Sequence, residues 1–234
     1  SMNPCIDKWL QEINKKRKQW PAEAEYLSKG INPCSLLTNL SKRGKSAIAY
    51  VADVGQNQMW SAQCLELAQG QRFLTSGGMG AMGYGLPAAI GAAISNKNGC
   101  VVLVSGDGGF QLNLQELQTV VRNDLPIKIL ILNNQCHGMV RQFQQSYLDS
   151  RYYSTMWGYN SPNFTKVAQA YGIEAMTIDN REQIAEALDF FWKDASQPVL
   201  LQVMIDPEGN VYPKIAYGHP LTEMEPEFKQ SVWR

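Results

Sequence analysis

The sequence has no long apolar run, no surplus of charge of either sign and no closely paired cysteines. Its 21 basic residues are balanced by 21 acidic ones, so the formal net charge is zero. A chain without a bulk field gives no electrostatic case for binding nucleic acid or an acidic membrane surface. No apolar stretch approaches the roughly 20 residues of a membrane-spanning helix. No basic-then-apolar leader opens the chain, so secretion is not expected. The five cysteines (Cys5, Cys34, Cys64, Cys100 and Cys136) are scattered, odd in number and never spaced as CxxC. That pattern speaks against a zinc ribbon or a disulfide scaffold. It predicts reduced thiols in a cytoplasmic setting. Internal repeats, low-complexity tracts and an obvious interdomain linker are also lacking.

What is present suffices for a sizeable core. The chain has 234 residues, 44% of them hydrophobic and 18% charged, enough for one large domain or two small ones. The opening segment reads as a helix with Trp9, Leu10 and Ile13, followed by the basic run Lys15-Lys16-Arg17-Lys18. Asp7, Glu12, Glu23 and Glu25 surround that run, which favours a solvated helix face over a phosphate patch.

Beyond Pro33 the pattern alternates. Apolar runs at 47–54, 100–105, 127–132 and 199–205 read as buried strands, with a weaker one at 175–178. Asn113 with Glu116, and Asn180 with Gln183, each predict a capping box opening a helix. Their apolar stripes are Leu114, Leu117, Val120 and Val121, then Ile184, Ala187, Leu188 and Phe191. Strands alternating with helices predict an α/β fold around a mostly parallel sheet. Such folds bind ligands beyond the carboxyl ends of their strands. The loops after Val54, Ser105 and Leu132 are therefore where chemistry is expected.

Two motif matches fail on context. Gly44-Lys45-Ser46 resembles the end of a P-loop, but Asn39 stands where that motif needs glycine, and 36–40 reads as helix. Gly78-x-Gly80-x-x-Gly83 matches the dinucleotide fingerprint. Only 73–75 precedes it, too short for a convincing strand, and no acid follows at the ribose-binding distance.

The loop Gly106-Asp107-Gly108-Gly109 is more informative. It follows a buried strand and precedes a helix, and its glycines let backbone N–H groups approach an anion. Asp107 there is either a turn former or a ligand for a hard cation. The next strand ends in Asn133-Asn134, with residues 109–132 between the two loops. One helix and one strand fill that gap, which sets the loops side by side. Asp107 and Asn134 could then share one Mg²⁺, with a backbone carbonyl and ligand phosphates completing an oxygen octahedron.

A GDG followed at this spacing by NN resembles the motif of the thiamine-diphosphate decarboxylases and carboligases. DVGQNQMW (53–60), GGMGAMGYGLPAAIG (77–91), GDGGFQLNLQEL (106–117) and LPIKILILNNQCHGMVRQ (125–142) all resemble acetohydroxyacid (acetolactate) synthase. Residues 162–172 and 206–224 follow the same pattern more loosely. The likeness covers nearly the whole chain but only the C-terminal third of a usual catalytic subunit. It implies a three-layer α/β sandwich: a mostly parallel six-stranded sheet with helices on both faces. Residues 1–32 would be a helical lead-in from a missing central domain, and residues 33–234 the diphosphate domain.

The resemblance also implies roles. Asp107, Asn134 and the carbonyl of Cys136 would hold Mg²⁺. Gly108, Gly109, His137, Gly138 and Met139 would meet the diphosphate through N–H groups, joined by Gln56 and Asn57, where Asn57 replaces the family's usual histidine. The Gly80 carbonyl and the Met82 N–H would hold the aminopyrimidine edge, and the Met82 side chain would bend the cofactor. Val140 and Phe143 would line the substrate pocket, Phe143 standing for a tryptophan that favours larger 2-oxo acid acceptors. The family's catalytic glutamate belongs to the pyrimidine domain and most FAD contacts to the central domain, so neither is expected here. His137 replaces a hydrophobic residue and reads either as an acid–base group or as a backbone contributor. The aromatic stretch YYSTMWGY (152–159) reads as lid, interface or core.

The implied activity is decarboxylation of a 2-oxo acid such as pyruvate and transfer of the two-carbon unit to an acceptor carbonyl. A relative acting on a keto-sugar, or a domain that binds cofactor without turnover, are the alternatives. The expected partners are a small-molecule 2-oxo acid and further copies of the full subunit, as a dimer or tetramer.

Overall fold

The computed structural model describes residues 4–19, 29–220 and 223–225. Contacts group the described residues between 29 and 210 into one body, and those at the two ends of the chain into a second unit. The end unit contains helix α1 (Pro4–Gln19) and a short antiparallel pair, β7 (Lys214–Ile215) with β8 (Met224–Glu225). On α1 the run 15–18 is exposed, as its charge balance predicts, and Trp9 is 67% exposed.

In the body, the apolar runs become strands. They are β1 (Ala47–Ala52), β2 (Arg72–Thr75), β3 (Cys100–Gly106), β4 (Ile127–Asn133), β5 (Glu174–Ile178) and β6 (Val199–Met204). All neighbours pair in parallel, in the order β2-β1-β3-β4-β6-β5. The helices between them are α2 (Pro33–Arg43), α3 (Gln56–Cys64), α4 (Gly85–Ser95), α5 (Asp107–Phe110), α6 (Leu117–Arg122), α7 (Gly138–Tyr147), α8 (Phe164–Ala170) and α9 (Ile184–Trp192). Parallel strands covered on both sides have no polar face to show, which is why β3 and β4 read as continuous apolar runs.

The two faces separate by strand parity. Ala49, Val51, Val101, Leu103, Ile129 and Ile131 join Leu86, Ala89 and Ile90 of α4, Leu117 and Val120 of α6, and Phe164 of α8 in one core. Phe110 closes it with an edge-on contact to Phe164 at 5.4 Å. The alternate residues Tyr50, Val102, Val104 and Leu130 are fully buried too. Their side of the sheet belongs to α2, α3 and α9, which supply buried Leu36, Leu40, Trp60, Leu188 and Phe191. Burying a side chain of this size contributes about 1.5–3 kcal/mol.

Three expectations need correction. Residues 73–75 do belong to a strand: β2 is an edge strand, only partly buried, so it needs no apolar run to be stable. The capping box at Asn113 does not form, although the one at Asn180 does. Asn113 Nδ2 donates instead to the Gly83 carbonyl at 2.7 Å, and the Glu116 carboxylate accepts from the Thr119 hydroxyl at 2.8 Å. A short 3₁₀ turn, Leu114–Glu116, leads into α6 in its place. Finally, Cys34 and Cys64 form a disulfide across a sequence separation of 30, against the expectation of reduced thiols. Packing of α2 against α3 brings their Cα atoms to 5.3 Å, a proximity that cysteine spacing alone does not encode.

Candidate functional site

Because β1, β3 and β4 are adjacent and parallel, their carboxyl ends lie along one edge of the sheet. The chain runs outward from β1 to β2 and returns to β3 on the other side of β1, so a crevice opens where the direction reverses. The three loops expected to carry chemistry meet there.

After β1 the chain turns at Gly55, whose φ of +144° is one that side-chain-bearing residues rarely adopt, and α3 begins at once with Gln56. After β3 it enters the one-turn helix α5, made of Asp107, Gly108, Gly109 and Phe110. After β4 it passes Asn134, Gln135, Cys136 and His137 into α7. One cavity is lined by Gln56, Asn57, Met82, Asp107, Gly108, Gly109, Asn134, Cys136, His137, Gly138, Met139 and Val140, with Val54, Gly55, Trp60, Gly106 and Leu132. Two expected residues lie outside that lining. Gly80 sits within the exposed stretch 77–82, its N–H bonded to the Ser76 carbonyl at 3.0 Å. Phe143 is 48% exposed and packs on Tyr147 at 4.8 Å.

The polar side chains are tightly held. Asn134 donates through Nδ2 to Gln56 Oε1 at 3.0 Å and accepts the Cys136 N–H at 3.2 Å. The Gln56 amide donates in turn to the Gly209 carbonyl at 2.9 Å and to Gln142 at 3.2 Å. The Asn57 amide turns back to the carbonyls of Asp53 and Val104, at 2.7 and 3.3 Å, which anchors α3 on the sheet. The His137 N–H is taken by the Thr155 carbonyl at 2.9 Å, so its ring is what faces Gly108. Gly138 and Met139 open α7, where the first N–H groups have no acceptor within the helix.

At several of these glycines any side chain would push a neighbouring side chain aside. A Cβ on Gly138 would stand 2.0 Å from Gln56 Oε1 and 2.5 Å from Asn134 Nδ2. On Gly109 it would stand 2.6 Å from Asp53 Oδ1, and on Gly108 2.7 Å from the His137 ring. Bare backbone can therefore come close to a ligand in the cavity.

Asp107 is the buried acid of the site, 1% exposed. Burial pushes its carboxyl up to about 6, while hydrogen bonds from Tyr159, its own loop and Ser161 pull it down. A cation would relieve that desolvation. The donors at hand are one carboxylate, one amide and backbone carbonyls, all hard oxygens suited to Mg²⁺. Among the described residues no cluster of three or more His, Cys, Asp or Glu offers a softer alternative. The residues present therefore fit a magnesium–diphosphate group. Cys136 is buried and its thiol is pushed up to about 11, so it would serve through its carbonyl and not as a thiolate. Burial lowers the His137 pKa and favours the neutral ring.

Sequence reasoning gives Asp53 only a structural role closing a strand, and it missed Tyr159. Asp53 accepts N–H groups from Val54, Gly83 and Gly85, so it ties the loop carrying Gly80 and Met82 to β1. Tyr159 donates to Asp107 Oδ2 at 2.9 Å. Its only sequence signal is the aromatic density of 152–159.

Comparison with known proteins agrees with this geometry. The family model "Thiamine pyrophosphate enzyme, C-terminal TPP binding domain" matches residues 53–203. The acetolactate synthase large subunit of Pyropia yezoensis is 42% identical over 219 residues, covering 94% of this chain and 37% of that protein. The large subunit of acetolactate synthase isozyme 2 of Escherichia coli K12 is 41% identical over 216 residues, 92% of this chain and 39% of that protein. The mitochondrial acetolactate synthase catalytic subunit of Saccharomyces cerevisiae is 38% identical over 220 residues, 92% of this chain and 32% of that protein. The chain thus spans about a third of the length of the relatives it matches. Three sheet-edge loops closing on one oxygen-lined cavity, together with a family match that spans all of them, establish that this chain belongs to the thiamine pyrophosphate enzymes, as their C-terminal TPP-binding domain.

Proposed function

We propose that the chain is the diphosphate- and Mg²⁺-binding domain of a carboligase of the acetolactate synthase type. The whole protein would decarboxylate a 2-oxo acid such as pyruvate and pass the two-carbon unit to an acceptor carbonyl. The observation that carries this is the meeting of Asp107, Asn134 and Gln56 on one cavity beyond three parallel strands. The reaction type is supported by the names of the relatives.

Bound thiamine diphosphate would supply the nucleophilic carbon and the electron sink that decarboxylation needs. This chain's residues would supply position. Asp107, Asn134 and the Cys136 carbonyl would hold Mg²⁺, with Gln56 holding the Asn134 amide nitrogen so that its oxygen, which also accepts the Cys136 N–H, would be the end offered to the metal. Gly108, Gly109, Gly138 and Met139 would give the diphosphate close backbone. Met82, tethered through its neighbour Gly83 to Asp53, would support the cofactor from below. Val140 lines the cavity and Phe143 does not, so acceptor choice would rest on Val140. The keto-sugar reading draws on His137, a ring able to hydrogen-bond a polyol at the same cavity.

The same proposal takes residues 1–32 as the lead-in from a preceding domain and 33–234 as the binding domain. It assigns any FAD to the absent central domain, the whole protein to a homo-oligomer (dimer or tetramer) and its location to the cytoplasm. No helix among the described residues is long and apolar enough to cross a membrane.

The chain alone is expected to be inactive. The buried carboxylates Asp53 and Asp107 are both committed to contacts within the fold, which leaves neither to play the proton-shuttling glutamate. Losing such a group costs about 10²–10⁴ in rate. Carbon dioxide release from pyruvate by the purified chain, above that of free cofactor and lost in Asp107→Ala, would refute this assignment. For the full-length protein, Asp107→Ala should abolish metal-dependent cofactor binding in calorimetry, and product analysis with 2-oxo acids and keto-sugars separates the two acceptor classes.

A further inference from the structure

Asp107 lines the cavity, and Tyr159 does not. The tyrosine reaches the carboxylate from behind, its hydroxyl donating to Oδ2 at 2.9 Å. A second hydroxyl backs it. Ser161 Oγ accepts N–H groups from Gln135 at 2.7 Å and Asn133 at 3.4 Å and lies beside the same carboxylate. Both hydroxyls come from one connecting segment between α7 and α8, and that segment is itself pinned. The Thr155 carbonyl accepts the His137 N–H, the Thr155 hydroxyl bonds Gln144 Oε1 at 2.5 Å, and Gln144 Nε2 donates to the Tyr153 carbonyl at 3.1 Å. The Tyr159 ring packs edge-on against His137 at 4.7 Å, and Gln111 Nε2 donates to its hydroxyl at 3.3 Å. The phenol is thus fixed in both position and proton direction: its oxygen receives from Gln111, so its own proton points to Asp107.

A carboxylate that ligates a metal through one oxygen is free to rotate unless the other is held. Groups that hold it are worth about 10–100-fold in metal affinity. We propose that Tyr159 is a positioning residue for the metal site: by holding Oδ2 from outside the cavity it turns the remaining oxygen of Asp107 toward a divalent cation. The inference rests on Asp107 being a metal ligand, and it adds a determinant from the aromatic segment that the GDG and NN loops do not contain.

The test uses Mn²⁺ in place of Mg²⁺ with thiamine diphosphate and the whole chain, read by electron paramagnetic resonance. Y159F removes the hydroxyl and keeps the ring. It should weaken Mn²⁺ binding about 10–100-fold and change the zero-field splitting of the bound ion, with thermal unfolding of the metal-free chain unchanged. A purely structural tyrosine would leave the spectrum of bound Mn²⁺ as in the wild type. D107N serves as the reference for the site itself. If D107N binds Mn²⁺ normally, the metal-site reading fails. If D107N loses the metal while Y159F matches wild type in affinity and spectrum, the role of Tyr159 is overturned. If Y159F unfolds, S161A reads the same carboxylate from its other hydroxyl: weakened binding with an altered spectrum supports a held carboxylate, and wild-type behaviour overturns it.

Discussion

The carboxylate of Asp53 accepts the backbone N–H of Gly85 at 2.8 Å, across 32 residues of sequence. Its other oxygen takes the N–H groups of Val54 at 2.7 Å and Gly83 at 3.0 Å. Gly109 packs so closely on the same carboxylate that a Cβ there would stand 2.6 Å away. One buried acid therefore sets the distance between the end of β1, the loop bearing Met82 and the start of α5.

Replacing Asp53 by Asn keeps the shape and swaps one acceptor oxygen for a donor, which leaves at least one of three N–H groups facing another N–H. Burial raises the Asp53 pKa, so losing the charge offsets part of that cost. The net effect should be a loss of about 1–3 kcal/mol in denaturant unfolding. Amide exchange should quicken at Gly83 and Gly85. Unchanged exchange at both glycines would show that the carboxylate does not hold the loop.

Stability should fall as pH rises through the range in which Asp107 ionises. Burial lifts its pKa from 3.8 to about 6, so the folded chain binds this proton more tightly than the unfolded chain. Below pH 3.8 both states carry the proton; between that value and about 6 only the folded state does; above it the folded chain holds a buried charge. The contribution is about 3 kcal/mol, and Asp107→Asn should flatten the profile. Mg²⁺ with diphosphate should restore stability on the high-pH side, because the cation favours the ionised carboxylate. Urea unfolding from pH 4 to pH 7, with and without the metal, reads both effects.

Gly138→Ala places a methyl group 2.0 Å from Gln56 Oε1, closer than any real Cβ contact. Gln56 must move, and with it the hydrogen bond to Asn134. Overpacking of this kind costs about 1–3 kcal/mol. Metal-dependent diphosphate affinity should drop by more than stability accounts for, and calorimetry on the folded variant would reveal it. Gly91→Ala, where a Cβ meets nothing within 4 Å, is the matched control.

The Cys34–Cys64 bridge closes a loop with a sequence separation of 30. On the chain-entropy view it contributes about 3–4 kcal/mol. Reduction should lower the melting temperature by about 6–15 °C. Alkylation of freshly isolated protein followed by mass spectrometry tells which form the cell holds. Thiols at both positions would agree with a cytoplasmic location.

Much of this protein is legible in the sequence by itself. The runs that became β1, β3, β4 and β6 are apolar on both faces, and local hydrophobicity suffices to find such strands. The GDG and NN loops are equally plain, because glycine and short polar residues at strand ends are dictated by the backbone and the ligand. Folding alone decided the rest. Lys128 lies inside an apolar run yet is fully buried, because two carbonyls from distant Asp194 and Gln197 accept its ammonium. Asn113 gave up its expected cap because the Gly83 carbonyl came within reach, and Cys34 met Cys64 because two helices packed together. Tyr159 found Asp107 across 52 residues. Period and propensity describe a residue's immediate neighbours. A hydrogen bond, a disulfide or a held carboxylate depends on which distant atoms the packed core delivers to within 3 Å, and only the tertiary structure supplies those.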